Sequence, residues 1–268
     1  MERYNMLGAI CGDIVGSIYE WHNIKSKEFE LFKGTCFFTD DTVMTVAIAK
    51  ACMDYIENQD KEEFRKNCIF YMQVFGNRYP HAGYGGSFQN WLKDKNPEAY
   101  NSYGNGSAMR VSPCGWIARS LEEAEELGEI SAEVTHNHLE GIKGAKAIAG
   151  AIWLLRNGKS QEEVADYIQK NYYNIDFTIE AIRETYTFDV SCQGSVPQAI
   201  EAFLEASDFE DAIRNAISIG GDSDTIAAIT GSLAEAYFGV PEKIKKKTLV
   251  YLSEDLKEVV KEFVDLKK

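Results

Sequence analysis

The sequence predicts an all-α protein, a compact single-domain helical bundle spanning residues 1–268, and three observations carry that reading. Almost every segment repeats its apolar residues at three-to-four spacing, and almost none alternates as a strand does. Several of the periodic segments are rich in Ala and Gly, which lets helix axes approach closely. No linker of Pro, Ser or Gly and no fixed-period repeat divides the chain.

Taken in order, "GAICGDIVGSIYEW" (8–21) is a Gly-punctuated, helix-like segment that ends near Glu20. "DTVMTVAIAKACMDYIE" (41–57) repeats Val43, Val46, Ala47, Ile48 and Cys52 at helical spacing, and "DKEEFRKNCIFYMQVFGNR" (60–78) does so through Phe64, Cys68, Tyr71, Met72 and Phe75. Further helices are expected over 139–156, 160–170, 195–206, 208–219, 224–238 and 253–266, each bounded by Gly, Pro, Asn, Asp or Ser. The basic run "KIKKK" (243–247) reads as a solvated helix face that leaves Ile244 and Leu249 to point inwards.

Composition narrows the partners. With 42 acidic against 28 basic residues, the formal charge is −14, which argues against a protein that holds nucleic acid or anionic membrane by phosphate contacts. The six cysteines lie far apart, without a C-x-x-C pair or a zinc-like spacing, and read as reduced, mostly buried thiols. The N-terminal apolar stretch carries Asp13 at its middle and lacks a basic n-region, and no window approaches a membrane span. A soluble, cytoplasmic protein is expected.

Two stretches concentrate acidic residues where the chain is about to enter its core. "CFFTDDTVM" (36–44) sets Asp40 and Asp41 beside Thr39, and "SIGGDSDTIAAITGSLAEAY" (218–237) sets Asp222 and Asp224 beside Thr225, each at the mouth of an apolar helix. Helix capping explains either stretch alone. Brought together, they would make a site of four carboxylates and hydroxyl donors with no imidazole or thiolate. Such hard oxygen ligands suit Mg²⁺, Mn²⁺ or Ca²⁺, and two divalent cations would neutralise the four charges. Thr42 reads as an ordinary first-turn residue, and Glu20 as a further acid at a helix end. The Gly-rich loops "YPHAGYGGSFQNWL" (79–92) and "SYGNGSAMRVSPCGW" (102–116) run into helical patterns, where backbone N–H groups can hold phosphate without net positive charge. His136 and His138 sit one residue apart in "VTHNHLEGIKGA" (134–145), a spacing that points them apart on a helix.

In order, "GDIVGSIYE", "FFTDDTVM", "GYGGS", "SYGNGSAMRVSP", "THNHLEGIKGA", "GSVPQAI" and "SIGGDSDTIAAITGSLAEAYFG" resemble the signature series of the ADP-ribosylglycohydrolase family, from residue 7 to about 241. The resemblance implies an all-α domain around a binuclear Mg²⁺ or Mn²⁺ centre that cleaves ADP-ribose from an ADP-ribosylated protein or a small ADP-ribose conjugate. Carried over by motif, Thr39, Asp40, Asp41, Asp222, Asp224 and Thr225 are the implied metal ligands, with Asp224 bridging the ions. Glu20 matches the catalytic glutamate. Gly85, Ser102, Tyr103, Gly104, Asn105 and Gly106 match substrate loops, and His136 a substrate-contacting histidine. Ser107 and Ser223 are mild departures that remove no ligand, and His138 and Glu140 receive no role. The competing readings are a non-catalytic ADP-ribose binder and a two-metal nucleotide phosphohydrolase. The retained acids favour hydrolysis of the ADP-ribosyl bond.

Overall fold

The computed structural model describes residues 5–266. In chain order these form α1 (Leu7–Gly16), α2 (Asp40–Asn58), α3 (Lys61–Arg78), α4 (Gly86–Lys93), α5 (Gly106–Met109), α6 (Ser112–Ile117), α7 (Leu121–Glu133) and α8 (Leu139–Arg156). They continue with α9 (Gln161–Asn171), α10 (Ile179–Ile182), α11 (Cys192–Leu204), α12 (Phe209–Ser218), α13 (Ser223–Phe238), α14 (Glu242–Val250) and α15 (Glu254–Asp265). Among the described residues the one β-type pairing is an isolated antiparallel bridge between Gly104 and Ser191. The all-α reading is borne out.

Local chemistry starts these helices where the sequence places polar caps. Asp60 accepts the N–H groups of Glu62 and Glu63 at the head of α3, Ser160 and Glu163 form a reciprocal capping box on α9, and Asp208 accepts from Asp211 on α12. Helix α8 matches its expected range end to end, and α13 begins one residue earlier than expected. Helix α7 lies where the sequence reading proposes none. Its buried stripe of Ala124, Leu127, Gly128 and Ile130 is thin, and glutamates fill most of the remaining positions, so the periodic signal is weak. The "KIKKK" run sits on α14 with Ile244 buried and its lysines at least partly in solvent.

The buried apolar side chains form one connected cluster with α1, α8 and α13 deep within it. Helices α1 and α13 run antiparallel with their backbones nearly touching. A Cβ added to Gly8 would lie 2.2 Å from the carbonyl oxygen of Gly231, one added to Gly12 1.9 Å from that of Ala227, and one added to Gly16 2.5 Å from Asp224 Cα. Only glycine fits such a seam. It fixes the register of α1 against α13 and thereby sets Asp13 beside the N-terminus of α13. All six cysteines are buried and unbridged. No helix among the described residues is long and apolar enough to cross a membrane.

Candidate metal centre and cleft

Three chain segments bring carboxylates to one place. Helix α2 opens at Thr39, whose hydroxyl accepts the Asp41 N–H at 3.3 Å, and this turns Asp41 into the bundle while Asp40 stays partly buried. At the head of α13, Gly220 and Gly221 adopt φ of 68° and 76°, the left-handed conformation needed for the tight entry that buries Asp222 and Asp224. The chain leaving α1 supplies Glu20, also partly buried. The capping and ligand readings of the two acidic stretches coexist: both aspartate pairs sit at helix N-termini, where the macrodipole favours negative charge.

Asp13 is the residue that the sequence reading passed over as a site member. It is fully buried in α1, and its carboxylate gathers four donors from the α2 entry. Oδ2 accepts the N–H of Thr39 at 2.9 Å, the N–H of Thr42 at 3.0 Å and the Thr42 hydroxyl, while Oδ1 accepts the Thr39 hydroxyl at 2.7 Å. Thr42 is therefore more than a first-turn residue. The available signal was a lone acid inside "GAICGDIVGS", bracketed by glycines four apart.

Ligand atoms of Asp13, Asp41 and Asp224 lie within 4.8 Å of one another, as do those of Glu20, Asp222 and Asp224. Asp224 belongs to both groups. Two orphaned atoms mark the same spot: Asp41 Oδ1 and Asp224 Oδ1 are buried with no hydrogen-bond partner. Buried carboxylate oxygens without donors are costly unless a cation or proton meets them. Two neighbouring acceptors are committed, since Thr225 donates to Asp41 Oδ2 at 3.1 Å and Asn105 Nδ2 to Asp222 Oδ2 at 2.7 Å. Crowding and burial show in the acidities. Burial first, then the charges of neighbouring aspartates, pushes Asp41 and Asp224 well above the usual carboxylate range and Asp40 to about 8. Glu20 rises to about 7 by burial and the charge of Asp222, and Asp13 to about 6 by burial against the pull of its threonine donors. This donor set, all oxygen and over-supplied with negative charge, fits hard divalent cations.

Around this cluster opens a cleft of about 760 Å³, in the size range of small-molecule sites. Every site residue singled out from sequence lines it: Glu20, Thr39, Asp40, Asp41, Asp222, Asp224 and Thr225, with Gly85, the run Ser102, Tyr103, Gly104, Asn105 and Gly106, and His136. The bridge to Ser191 holds the 102–106 loop, with Asn105 N–H donating to Val190 O at 2.7 Å. Gly104 N–H donates to Ser102 Oγ at 3.1 Å, so these two amides are spent internally and phosphate would have to be met by other donors. His138, two positions after His136, caps α8 by accepting the Glu140 N–H at 3.1 Å. At the mouth, Trp21 stacks on Phe188 with ring centroids 5.2 Å apart, both exposed, tying the segment that carries Glu20 to the 183–191 loop.

The family profile described as ADP-ribosylglycohydrolase matches residues 3–268. The chain is 26% identical to the ADP-ribosylhydrolase ARH3 of Homo sapiens, with 94% of this chain and 90% of that protein covered. It is 26% identical to the ADP-ribosylarginine hydrolase Tri1 of Pseudomonas putida (strain GB-1), covering 97% of this chain and 76% of that protein. A solved structure titled "ADP-ribosylglycohydrolase-related protein complex" superposes with a TM-score of 0.66 at 20% identity, covering 95% of each chain, which establishes a shared fold. With its motifs gathered in one cleft and the profile spanning nearly its whole length, this chain belongs to the ADP-ribosylglycohydrolase family.

Proposed function

We propose that this chain is a metal-dependent hydrolase that cleaves the glycosidic bond between ADP-ribose and an acceptor, an ADP-ribosylated protein side chain or a small conjugate, within a single domain spanning residues 1–268. The observation that carries the reading is Asp224, which joins two carboxylate groups at the floor of the cleft and leaves one oxygen orphaned there. Names of relatives, ADP-ribosylhydrolase and ADP-ribosylarginine hydrolase, support the same bond class.

Two divalent cations, Mg²⁺ or Mn²⁺, held by Thr39, Asp40, Asp41, Asp222, Asp224 and Thr225, would supply Lewis-acid charge at the ribose and lower the pKa of a water beside it. Asp224, facing both groups, is suited to the shared position. Asp13 orients Thr39 and Thr42 and so holds the α2 entry in place. Hydrolysis breaks the bond from the anomeric carbon to the acceptor through an oxocarbenium-like state, adds water to that carbon and returns a proton to the leaving acceptor. Glu20, a partly buried carboxyl that lines the cleft within 4.8 Å of the Asp222 and Asp224 ligand atoms, would handle that proton. The 102–106 loop, Gly85 and His136 line the rest of the cleft and would orient the diphosphate and adenosine.

The test is incubation of the protein with a panel of ADP-ribosylated arginine and serine peptides in Mg²⁺ or Mn²⁺. Release of free ADP-ribose supports the reading. Binding without release selects a non-catalytic reader, and release of phosphate from free nucleotide selects a phosphohydrolase. Either of those overturns it.

A further inference from the structure

Arg110 is fully buried, yet it makes no ion pair among the described residues, a costly placement for a fixed cation. Its Nη2 donates to the carbonyl oxygen of Ser131 and to Thr135 Oγ1, both at 2.8 Å. The first bond reaches the C-terminal turn of α7, where a cation is favoured by the macrodipole. The second reaches a hydroxyl that is itself 2.7 Å from Nδ1 of His136.

A hydroxyl carries one proton. Were Nδ1 the donor across the 2.7 Å contact, the hydroxyl proton would be left with only Ala132 O at 3.4 Å, so the arrangement that satisfies both groups has Thr135 donating to Nδ1. Accepting from the Arg110 cation also polarises the hydroxyl towards donation. Nδ1 is then an acceptor, so the proton of the neutral ring must sit on Nε2. That nitrogen faces the cleft loop, since a Cβ added to Gly106 or Gly104 would lie 3.1 or 3.4 Å from it. No hydrogen bond to Nε2 is formed among the described residues, which leaves it free for a ligand oxygen.

We propose that Arg110 is a positioning residue which, through Thr135, fixes His136 as its Nε2–H tautomer and so presents a neutral hydrogen-bond donor to a ligand oxygen in the cleft. Burial and the nearby guanidinium both oppose a second proton on the ring, so the donor is held in one protonation state. The ligand role rests on the proposed ADP-ribose site, whereas the tautomer stands independently of it.

The experiment is long-range ¹⁵N–¹H correlation spectroscopy of the ¹⁵N-histidine-labelled protein, with His136 assigned by its loss in His136→Gln, and ADP-ribose affinity measured alongside. The expected wild-type ring shows a pyridine-like Nδ1 and a pyrrole-like Nε2, and stays singly protonated well below the usual imidazole range. Thr135→Val should move Nδ1 to the position of an unbonded nitrogen and weaken ADP-ribose binding about tenfold, the worth of one well-placed hydrogen bond. Thr135→Ser should preserve both, and the wild-type and serine spectra decide if the valine variant does not fold. A proton on Nδ1, a doubly protonated ring at neutral pH, or an unmoved Nδ1 in Thr135→Val overturns the proposal. Failure of the wild type to bind ADP-ribose overturns the functional reading instead and leaves the tautomer result intact.

Discussion

The Thr39 hydroxyl donates to Asp13 Oδ1 at 2.7 Å, so the residue that opens α2 is held by a carboxylate from inside α1. The same carboxylate receives the N–H groups of Thr39 and Thr42, which no other group near the helix entry satisfies. Asp13→Ala should therefore strand buried donors at the head of α2 and cost on the order of 3 kcal/mol. Asp13→Asn keeps an acceptor and should cost less, yet it removes a charge next to Asp41 and Asp224. Urea unfolding in Mg²⁺ checks the first effect, and titration calorimetry with Mg²⁺ or Mn²⁺ the second. Equal stability of Asp13→Ala and wild type would refute the role.

Removal of metal should be felt across the fold. If cations balance the charges of Asp40, Asp41, Asp222 and Asp224, exhaustive chelation leaves acids that repel one another or must take up protons, and the melting temperature falls. Readdition of Mg²⁺ should restore it in a concentration-dependent way. A melting temperature indifferent to chelator and to added Mg²⁺ or Mn²⁺ counts against a shared metal site.

Glu20 offers a cleaner separation of binding from chemistry. Glu20→Gln preserves shape but cannot exchange the proton, so turnover of ADP-ribosylated peptide should drop by about 10²–10⁴ while ADP-ribose affinity stays within a few-fold of wild type. Single-turnover kinetics and calorimetry make the comparison. Unchanged turnover removes Glu20 from the mechanism.

A fourth expectation concerns pH and a carboxyl away from the cleft. Glu235 is buried on α13, where Oε2 accepts the Gly8 N–H at 2.8 Å and Oε1 has no partner. Burial raises its pKa from 4.5 to about 7 in the folded chain. The folded state thus binds this proton more tightly than the unfolded state does. Its stabilising contribution is fully present below pH 4.5 and is lost as pH rises towards 7, a change on the order of 3 kcal/mol. The difference in urea stability between wild type and Glu235→Gln should follow that window and level off above it. A pH-independent difference would show that Glu235 does not titrate there.

Much of this architecture was legible from the order of residues, because helical spacing and polar caps are local. Helix α8 lay open in "LEGIKGAKAIAGAIWLLR", whose apolar and small residues recur at helical spacing over five turns. The acids at 40, 41, 222 and 224 were legible because like charges at the mouths of apolar helices need a reason. Asp13 was not, since its meaning depends on Thr39 and Thr42, 26 and 29 residues away, and on an α1 register set by packing. The linkage from Arg110 through Thr135 to His136 was hidden for the same reason: nothing local says that an arginine on the turn after α5 reaches the residue that precedes the histidine. The spent amide of Asn105 likewise follows from the pairing with 190–191, which no spacing rule announces, while that of Gly104 turns back onto Ser102 Oγ.

The glycine seam between α1 and α13 carries a further consequence. Because main chain rests on main chain at Gly8, Gly12 and Gly16, the separation of Asp13 from Asp224 is set by covalent dimensions and not by the girth of intervening side chains. The seam works as a fixed gauge block: neighbouring core positions can exchange volumes over long divergence while the carboxylates keep their calibration, and the seam glycines themselves have no room to vary.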